Sequence, residues 1–361
     1  MDLFTLGLIN GMKKNNSSGG GSSSDDNQFD ELVQRTIVSA HGNASYIGNM
    51  AFQNCRSLTS VNFPNVTSIG NGAFQYCVNL ISMNFPNAAL IGDYAFQYCV
   101  NLTFGDFPNA TSIGSWAFQG CSSLTSISFP NVISIGSWAF QDCSNLISVS
   151  FSNAENIYDG AFHGCSKLTF ISFPNVAYIK NSAFSNCRSL ISIDFPNASY
   201  VGSGAFLNCY SLTSINFPNA SYIYNYAFQN CSNLISVNFP NAVYIYNSAF
   251  NTCSSLISIS FPNVMSIGND AFGYCNNLIS ANFSNVNYIG NNAFFYCPKL
   301  TEFHLEGVSS VPTLTNMNAF LYTSIHMAQN GTIFVPASLY DAFISANNWS
   351  YYSSKISSVS V

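Results

Sequence analysis

Residues 63–77 read FPNVTSIGNGAFQYC, residues 85–99 read FPNAALIGDYAFQYC, and residues 129–143 read FPNVISIGSWAFQDC. These are copies of one unit, and the cysteine that ends each copy poses the first question. It is either a reactive group or a block in a wall. Twelve cysteines run from Cys55 to Cys297 at a constant step of 22 residues. No CxxC pair occurs, and no cysteine stands at metal-ligand spacing from a histidine. Neighbours such as Phe74 and Leu80 are apolar, and no cation lies near Cys77 in sequence to lower its pKa. The pattern therefore predicts a ladder of buried thiols that pack as small apolar groups. Disulfides between stacked copies are the rival, because Cα atoms ~5 Å apart are within reach of a bridge. Neither catalysis nor metal binding finds support in the spacing.

The whole unit is A-F-x-x-C-x-x-L-x-x-[IV]-x-F-P-N-[VA]-x-x-I-G-x-x, from Ala51-Phe52 to Ala293-Phe294, without an insertion in any copy. In LTSVNF (58–63), apolar Val61 and Phe63 alternate with Ser60 and Asn62, the period of a half-buried strand. Pro64 removes a backbone donor and ends the ladder, and Asn65 suits the turn that follows. Val66 and Ile69 point inward again, and Gly70 lets the chain bend. Asn71, Asp93, Ser115 and Ser137 precede Ala-Phe, where they are expected to N-cap a short helical turn. That turn would place Ala73, Phe74 and Cys77 on one face. One such coil is too small to bury its apolar face, so neighbouring coils must stack on a shared core.

The unit resembles the leucine-rich repeats of the BspA-like (Treponema pallidum type) family. The resemblance rests on Leu124-Thr-Ser-Ile127-Ser-Phe129-Pro130-Asn131 with Ala139-Phe140 and Cys143, and it runs from about residue 44 to 311. Two departures are a segment one residue shorter after the proline and Phe in place of Leu or Ile in the strand. The implied fold is a leucine-rich repeat solenoid, a right-handed β/α-type stack of about twelve 22-residue coils with a C-terminal cap. The resemblance also implies a place on microbial surfaces, with adhesion and host-protein binding.

Composition narrows the partners. Charged residues make up 7% of the chain, against about a quarter in an average soluble domain. With a net charge of −6, there is no basic footprint for nucleic acid or for an anionic membrane. No apolar run approaches the ~18 residues that span a bilayer. MDLFTLGLINGMKKNN lacks the early positive charge and the long apolar core of a signal peptide. Localisation is therefore open between an extracellular or cell-surface home and a phage-like particle.

Four segments are expected. Residues 1–14 form a short apolar head, for which docking into a larger assembly is one role, and 15–27 are a Gly/Ser-rich linker. The leucine-rich repeat solenoid occupies 28–311, with Ala44 and Ile47 in a degenerate opening coil. Residues 312–361 form the C-terminal capping segment. In it a strand at Ile333–Val335 and a helix from Ser338 lead to Trp349 and Tyr352 over the last coil.

Against so constant a background, function must lie in what varies. Tyr178, Tyr200, Tyr222 and Tyr244 occupy one column in four successive coils, and Tyr224 and Tyr246 replace the turn glycine in two of them. Trp116 and Trp138 share another column beside Tyr94. Stacked aromatics offer rigid contact area at low entropic cost, although close copies of one repeat can also carry tyrosines that only pack on each other. On the strand, Phe104 and Phe170 replace an outward serine, and Asp106 and Asp194 stand at the next outward position. Phe104 is expected to turn inward over Gly105, whereas Phe170 has Ile171 in the core beside it. His304 reads as an exposed bystander.

The candidate ligand-binding residues are Tyr178, Tyr200, Tyr222, Tyr244, Phe170 and Asp194. The expected function is non-enzymatic recognition or adhesion, with a protein or glycan ligand on the solenoid surface and no cofactor. A structural spacer or assembly component is the alternative, and an enzyme would need a site in the cap or near Asp106 and Asp194.

Overall fold

The computed structural model describes residues 37–327 and 330–360. The head (1–14) and linker (15–27) lie outside the described residues. The chain divides into two compact units, Met1–Asn153 and Ala154–Val361, and each is a parallel β-solenoid built from the same coil.

A coil has three sides. In the first unit, Ser60–Asn62 is the strand of one side, and it pairs in parallel with Ser39–His41 and Ser82–Asn84. Val61 thereby faces Ala40 and Met83 across the ladder. Ser68–Ile69 is the short strand of the second side, between Tyr46–Ile47 and Leu90–Ile91. The second unit repeats the arrangement, with Phe170–Ser172 on Ser192–Asp194 and Tyr178–Ile179 on Tyr200–Val201.

The third side is not the expected helical turn. Gly72 and Tyr76 have φ near +60°, as do Tyr94 and Tyr98 in the next coil. Two left-handed residues four apart cannot sit in a right-handed helix. Their amides reach along the stack instead. Gly72 N donates to Asp93 O at 2.8 Å, Phe74 N to Ala95 O at 2.7 Å and Tyr76 N to Gln97 O at 2.8 Å. All three sides are thus held to a neighbouring coil by backbone hydrogen bonds, which satisfies amide groups that the core would otherwise strand.

The expected N-caps serve the same stacking. Asn71 Oδ1 accepts from the backbone N–H of Asp93 (2.9 Å), and Asp93 Oδ1 from that of Ser115 (2.7 Å). In the second unit Asp159 and Asn181 do likewise for Asn181 and Ser203. A short polar side chain serves either its own turn or the coil ~4.8 Å away, and here the next coil wins. The FPN asparagines act similarly: Asn87 Nδ2 donates to Pro64 O at 2.8 Å and Asn197 Nδ2 to Pro174 O at 2.7 Å.

Phenylalanine fills the interior in two stacked columns. Phe52 and Phe74 lie 5.1 Å apart at 4°, Phe63 and Phe85 6.2 Å apart at 8°, and Phe52 meets Phe63 at a tilt. The cysteines complete the wall. All twelve are buried, and none forms a disulfide. Cys77 Sγ donates to Phe52 O at 3.0 Å, a carbonyl that also accepts from Cys55 N at 3.1 Å, so both lone pairs are used. The same thiol bond recurs in the second unit, as from Cys209 to Phe184 O. Burial pushes the Cys55 and Cys121 thiols up to about 12.

Phe104 does not turn inward: it is 54% exposed. Strand alternation holds it outside, and the flexible Met83 fills the gap, its Cε lying 2.5 Å from where a Cβ on Gly105 would fall.

At the end of the second unit, Thr332–Pro336 pairs with Glu302–His304, and the six-residue helix Tyr340–Ser345 follows a 3₁₀ turn. Ile356–Val359 then adds a further parallel strand that the sequence pattern does not reveal. Trp349 is buried against Phe320 and Phe343, and its Nε1 donates to Pro312 O at 2.7 Å. Tyr352 OH donates to Met317 O. His304 is no bystander, since its Nδ1 lies 2.8 Å from Glu306 and its ring stacks on Phe334. Among the described residues no helix is long and apolar enough to cross a membrane.

Two outcomes are expected. A thiol that ionises near 9.0 when unfolded but near 12 when folded binds more protons in the folded state between those values. Its contribution is therefore complete below pH 9 and is lost as pH rises toward 12. The urea midpoint should be level below about pH 8.5 and fall steeply as pH rises through 9, ahead of most tyrosine ionisation at about pH 10, and a flat profile would contradict the buried ladder. Separately, removing 312–361 should expose Phe294 and Phe303 and the open edge of Glu302–His304, giving aggregates in light scattering. A soluble monomer would show that the terminal segment does not close the stack.

Candidate ligand-binding surface

The four tyrosines singled out from the sequence form one column on the short strands of the second unit. Parallel pairing places Tyr178 opposite Tyr200, Tyr200 opposite Tyr222, and Tyr222 opposite Tyr244. The inward partners Ile179, Val201, Ile223 and Ile245 are buried, so the period-2 alternation of the strand turns every tyrosine outward. Tyr178 is 46% exposed and Tyr222 40%, while Tyr200 and Tyr244 are half-buried between neighbours.

The residues two positions further on complete the surface. Tyr222 stacks on Tyr244 (5.5 Å, 3°) and Tyr224 on Tyr246 (5.0 Å, 6°). Tyr200, whose own coil has side-chain-free Gly202 two residues further on, leans across to Tyr224 at 4.8 Å. Burial, followed by the neighbouring phenols Tyr224, Tyr222 and Tyr244, raises the pKa of Tyr246, and burial with Tyr224 and Asp159 raises that of Tyr200. Both therefore remain neutral hydroxyls at physiological pH, able to donate and to accept.

Lys180 was missed in the sequence. Its Nζ lies 5.1 Å from the ring centre of Tyr178 and 5.2 Å from that of Tyr200, within cation–π range of both. The available signal was its place in the column that is otherwise glycine or tyrosine, where Tyr158 also stands exposed. Lys180, six tyrosines and Tyr158 thus occupy two adjacent columns of consecutive coils.

Phe170 and Asp194 belong to the other sheet. They sit on the paired strands Phe170–Ser172 and Ser192–Asp194, and Ser172 Oγ donates to Asp194 Oδ2 at 3.2 Å. Phe170 is 52% exposed. The six candidates therefore fall on two sides of the coil, with the tyrosines brought together and Phe170 and Asp194 set on a separate strand pair. Beside the long strands runs a stripe that was also overlooked: Ile235, Ile257 and Ile279 stand exposed in three successive coils, with Ile191 two coils earlier than Ile235. Its signal was the choice of Thr or Ile after the invariant leucine. Among the described residues no group of three or more His, Cys, Asp or Glu is placed to hold a metal ion.

The model of the BspA type leucine rich repeat region matches in six copies, over residues 22–90, 89–209 and 199–326. No curated protein sequence matches the chain. A leucine-rich repeat protein from Bacteroides ovatus is 23% identical, with 89% of this chain and 92% of that one covered at a TM-score of 0.54, a likeness of fold. A leucine-rich repeat protein from T. pallidum is 29% identical over 42% of this chain and 77% of its own, at a TM-score of 0.39. One from Eubacterium ventriosum is 24% identical over 77% and 85%, at 0.46. With the family pattern matched over most of its length and the coil geometry in agreement, this chain belongs to the BspA-type leucine-rich repeat family.

Proposed function

We propose that this protein is a non-enzymatic recognition module, displayed at a microbial surface, that binds a protein or glycan ligand through the tyrosine columns of its second unit. One observation carries the reading. On a lattice whose buried positions hardly vary, Tyr178, Tyr200, Tyr222, Tyr224, Tyr244, Tyr246 and Lys180 form an unbroken run of ring contacts at the surface. Tyrosine gives a ligand large area, a hydroxyl and few rotors to freeze, the combination enriched in recognition surfaces. Mutual stacking fixes the rings before a ligand arrives, which lowers the cost of binding. Membership of a family of surface-type, generally protein-binding repeats supports the same reading. In this scheme residues 312–361 cap the stack, and the exposed Phe170 and isoleucine stripe offer a second, more apolar contact area.

The test replaces Tyr178, Tyr200, Tyr222 and Tyr244 by serine, the residue already present in this column at Ser68, Ser112, Ser134 and Ser266. Signals that the intact protein gives on arrays of host proteins and glycans should disappear. The urea midpoint should move far less than removal of buried rings would move it, because each exposed ring pair contributes only about 0.5–1.5 kcal/mol. Unchanged array signals would remove the tyrosines from function, and a large loss of stability would make them packing residues.

A further inference from the structure

The tyrosine column is interrupted at one place. After Tyr244 the register continues to Ser266 and then to Tyr288, which is again exposed. Tyr244 and Tyr288 are two strand spacings apart, roughly 9.5 Å. A flat six-membered ring held between two aromatic faces at about 4.5 Å from each needs about 9 Å. Between them Ser266 carries only a hydroxymethyl group. On the adjacent column, Tyr246 stacks on Tyr224 with one face, and the coil beyond offers only Gly268. At the present approach of the two coils a Cβ on Gly268 would lie 2.6 Å from the Tyr246 carbonyl carbon and the Asn247 nitrogen, so this coil leaves bare the position that Tyr224 and Tyr246 fill in the two before it.

Resting on the recognition role proposed above, we propose that the gap between Tyr244 and Tyr288, floored by Ser266 and Gly268, is a binding site for one pyranose ring of an uncharged glycan. The lining groups select this class. A pyranose has apolar C–H faces, which suit the tyrosine rings on either side, and a rim of hydroxyls, which needs neutral donors and acceptors. Ser266, the phenols of Tyr244 and Tyr246, and the nearby asparagines supply them. Asn247 and Asn269 each spend Oδ1 on the backbone N–H of the next coil, at 2.9 and 2.8 Å, and their Nδ2 groups are donors. No Lys or Arg occurs between Arg188 and Lys299, so nothing in these coils pairs with a uronate or a sulfate.

The experiment uses the full chain, a panel of hexasaccharides of glucose, mannose, galactose and N-acetylglucosamine, and a hexauronate as charged control. Binding is read by calorimetry and by saturation transfer to the sugar protons. At least one neutral hexasaccharide should bind, with the hexauronate at least tenfold weaker. The decisive variant is Ser266→Tyr, which continues the column as Tyr222 and Tyr244 do and fills the gap without touching the core. It should weaken the sugar at least tenfold, as should Tyr244→Ser. A sugar bound equally well by Ser266→Tyr, or no neutral sugar bound at roughly 10 mM, the weak end for recognition of one ring, overturns the proposal. An array ligand kept by Ser266→Tyr but lost in the quadruple tyrosine variant would also overturn it, while leaving the broader recognition role standing. Loss of that ligand in neither variant would defeat both.

Discussion

Each coil depends on backbone hydrogen bonds that it cannot make with itself. A 22-residue loop of chain has too little interior to hide its apolar side chains and too few internal partners for its amides. Both needs are met only by a neighbour of the same shape in the same register. The strands supply part of this, and the left-handed turn supplies the rest by sending its N–H groups to the carbonyls of the adjoining coil. The other regularities follow from that requirement. Stacked phenylalanines, thiols bonded to the Phe carbonyl of the preceding coil, and asparagines bonded along the stack are what one contact looks like when repeated at a fixed translation.

That periodicity made much of the fold legible in advance. Alternation around Val61 and Phe63 disclosed the strand, and the lone cysteine of each copy disclosed a buried wall. The turn was misjudged because Ala73, Phe74 and Cys77 have helical spacing and helix-compatible side chains. Nothing in Tyr76, Tyr94 or Trp116 announces a positive φ, a conformation that usually recruits glycine or asparagine. The asparagines were misassigned for a related reason. A local cap and a bond to the next coil call for the same residue type, and only the translation between coils tells them apart. Ile356–Val359 lay hidden because its sequence lacks the leucine anchor of the repeat.

The surface was legible by column and not by contact. Counting in steps of one repeat put Tyr178 to Tyr244 in a row, which strand pairing reproduced. It gave no hint that Lys180 would reach over two of those rings, or that Tyr200 would also lean across to Tyr224. Such pairings depend on how far a side chain leans, which is set by whether the neighbouring column holds a glycine. The gap at Ser266 is likewise invisible as long as serine is taken for the default residue.

Strict equality of the coils also governs how such a protein can change. A coil inserted or lost whole leaves every remaining coil facing a partner of the right register, so the ladders close again. A fraction of a coil would put phenylalanine against carbonyl and thiol against solvent throughout the rest of the stack. Gene copying errors that shift by one full repeat are thus the tolerated kind. A duplicated tyrosine coil would extend the aromatic strip by one ring, and loss of the Ser266 coil would close the gap by bringing Tyr244 directly against Tyr288. The binding face can grow, shrink or be erased in single-coil increments while the interior stays as it is.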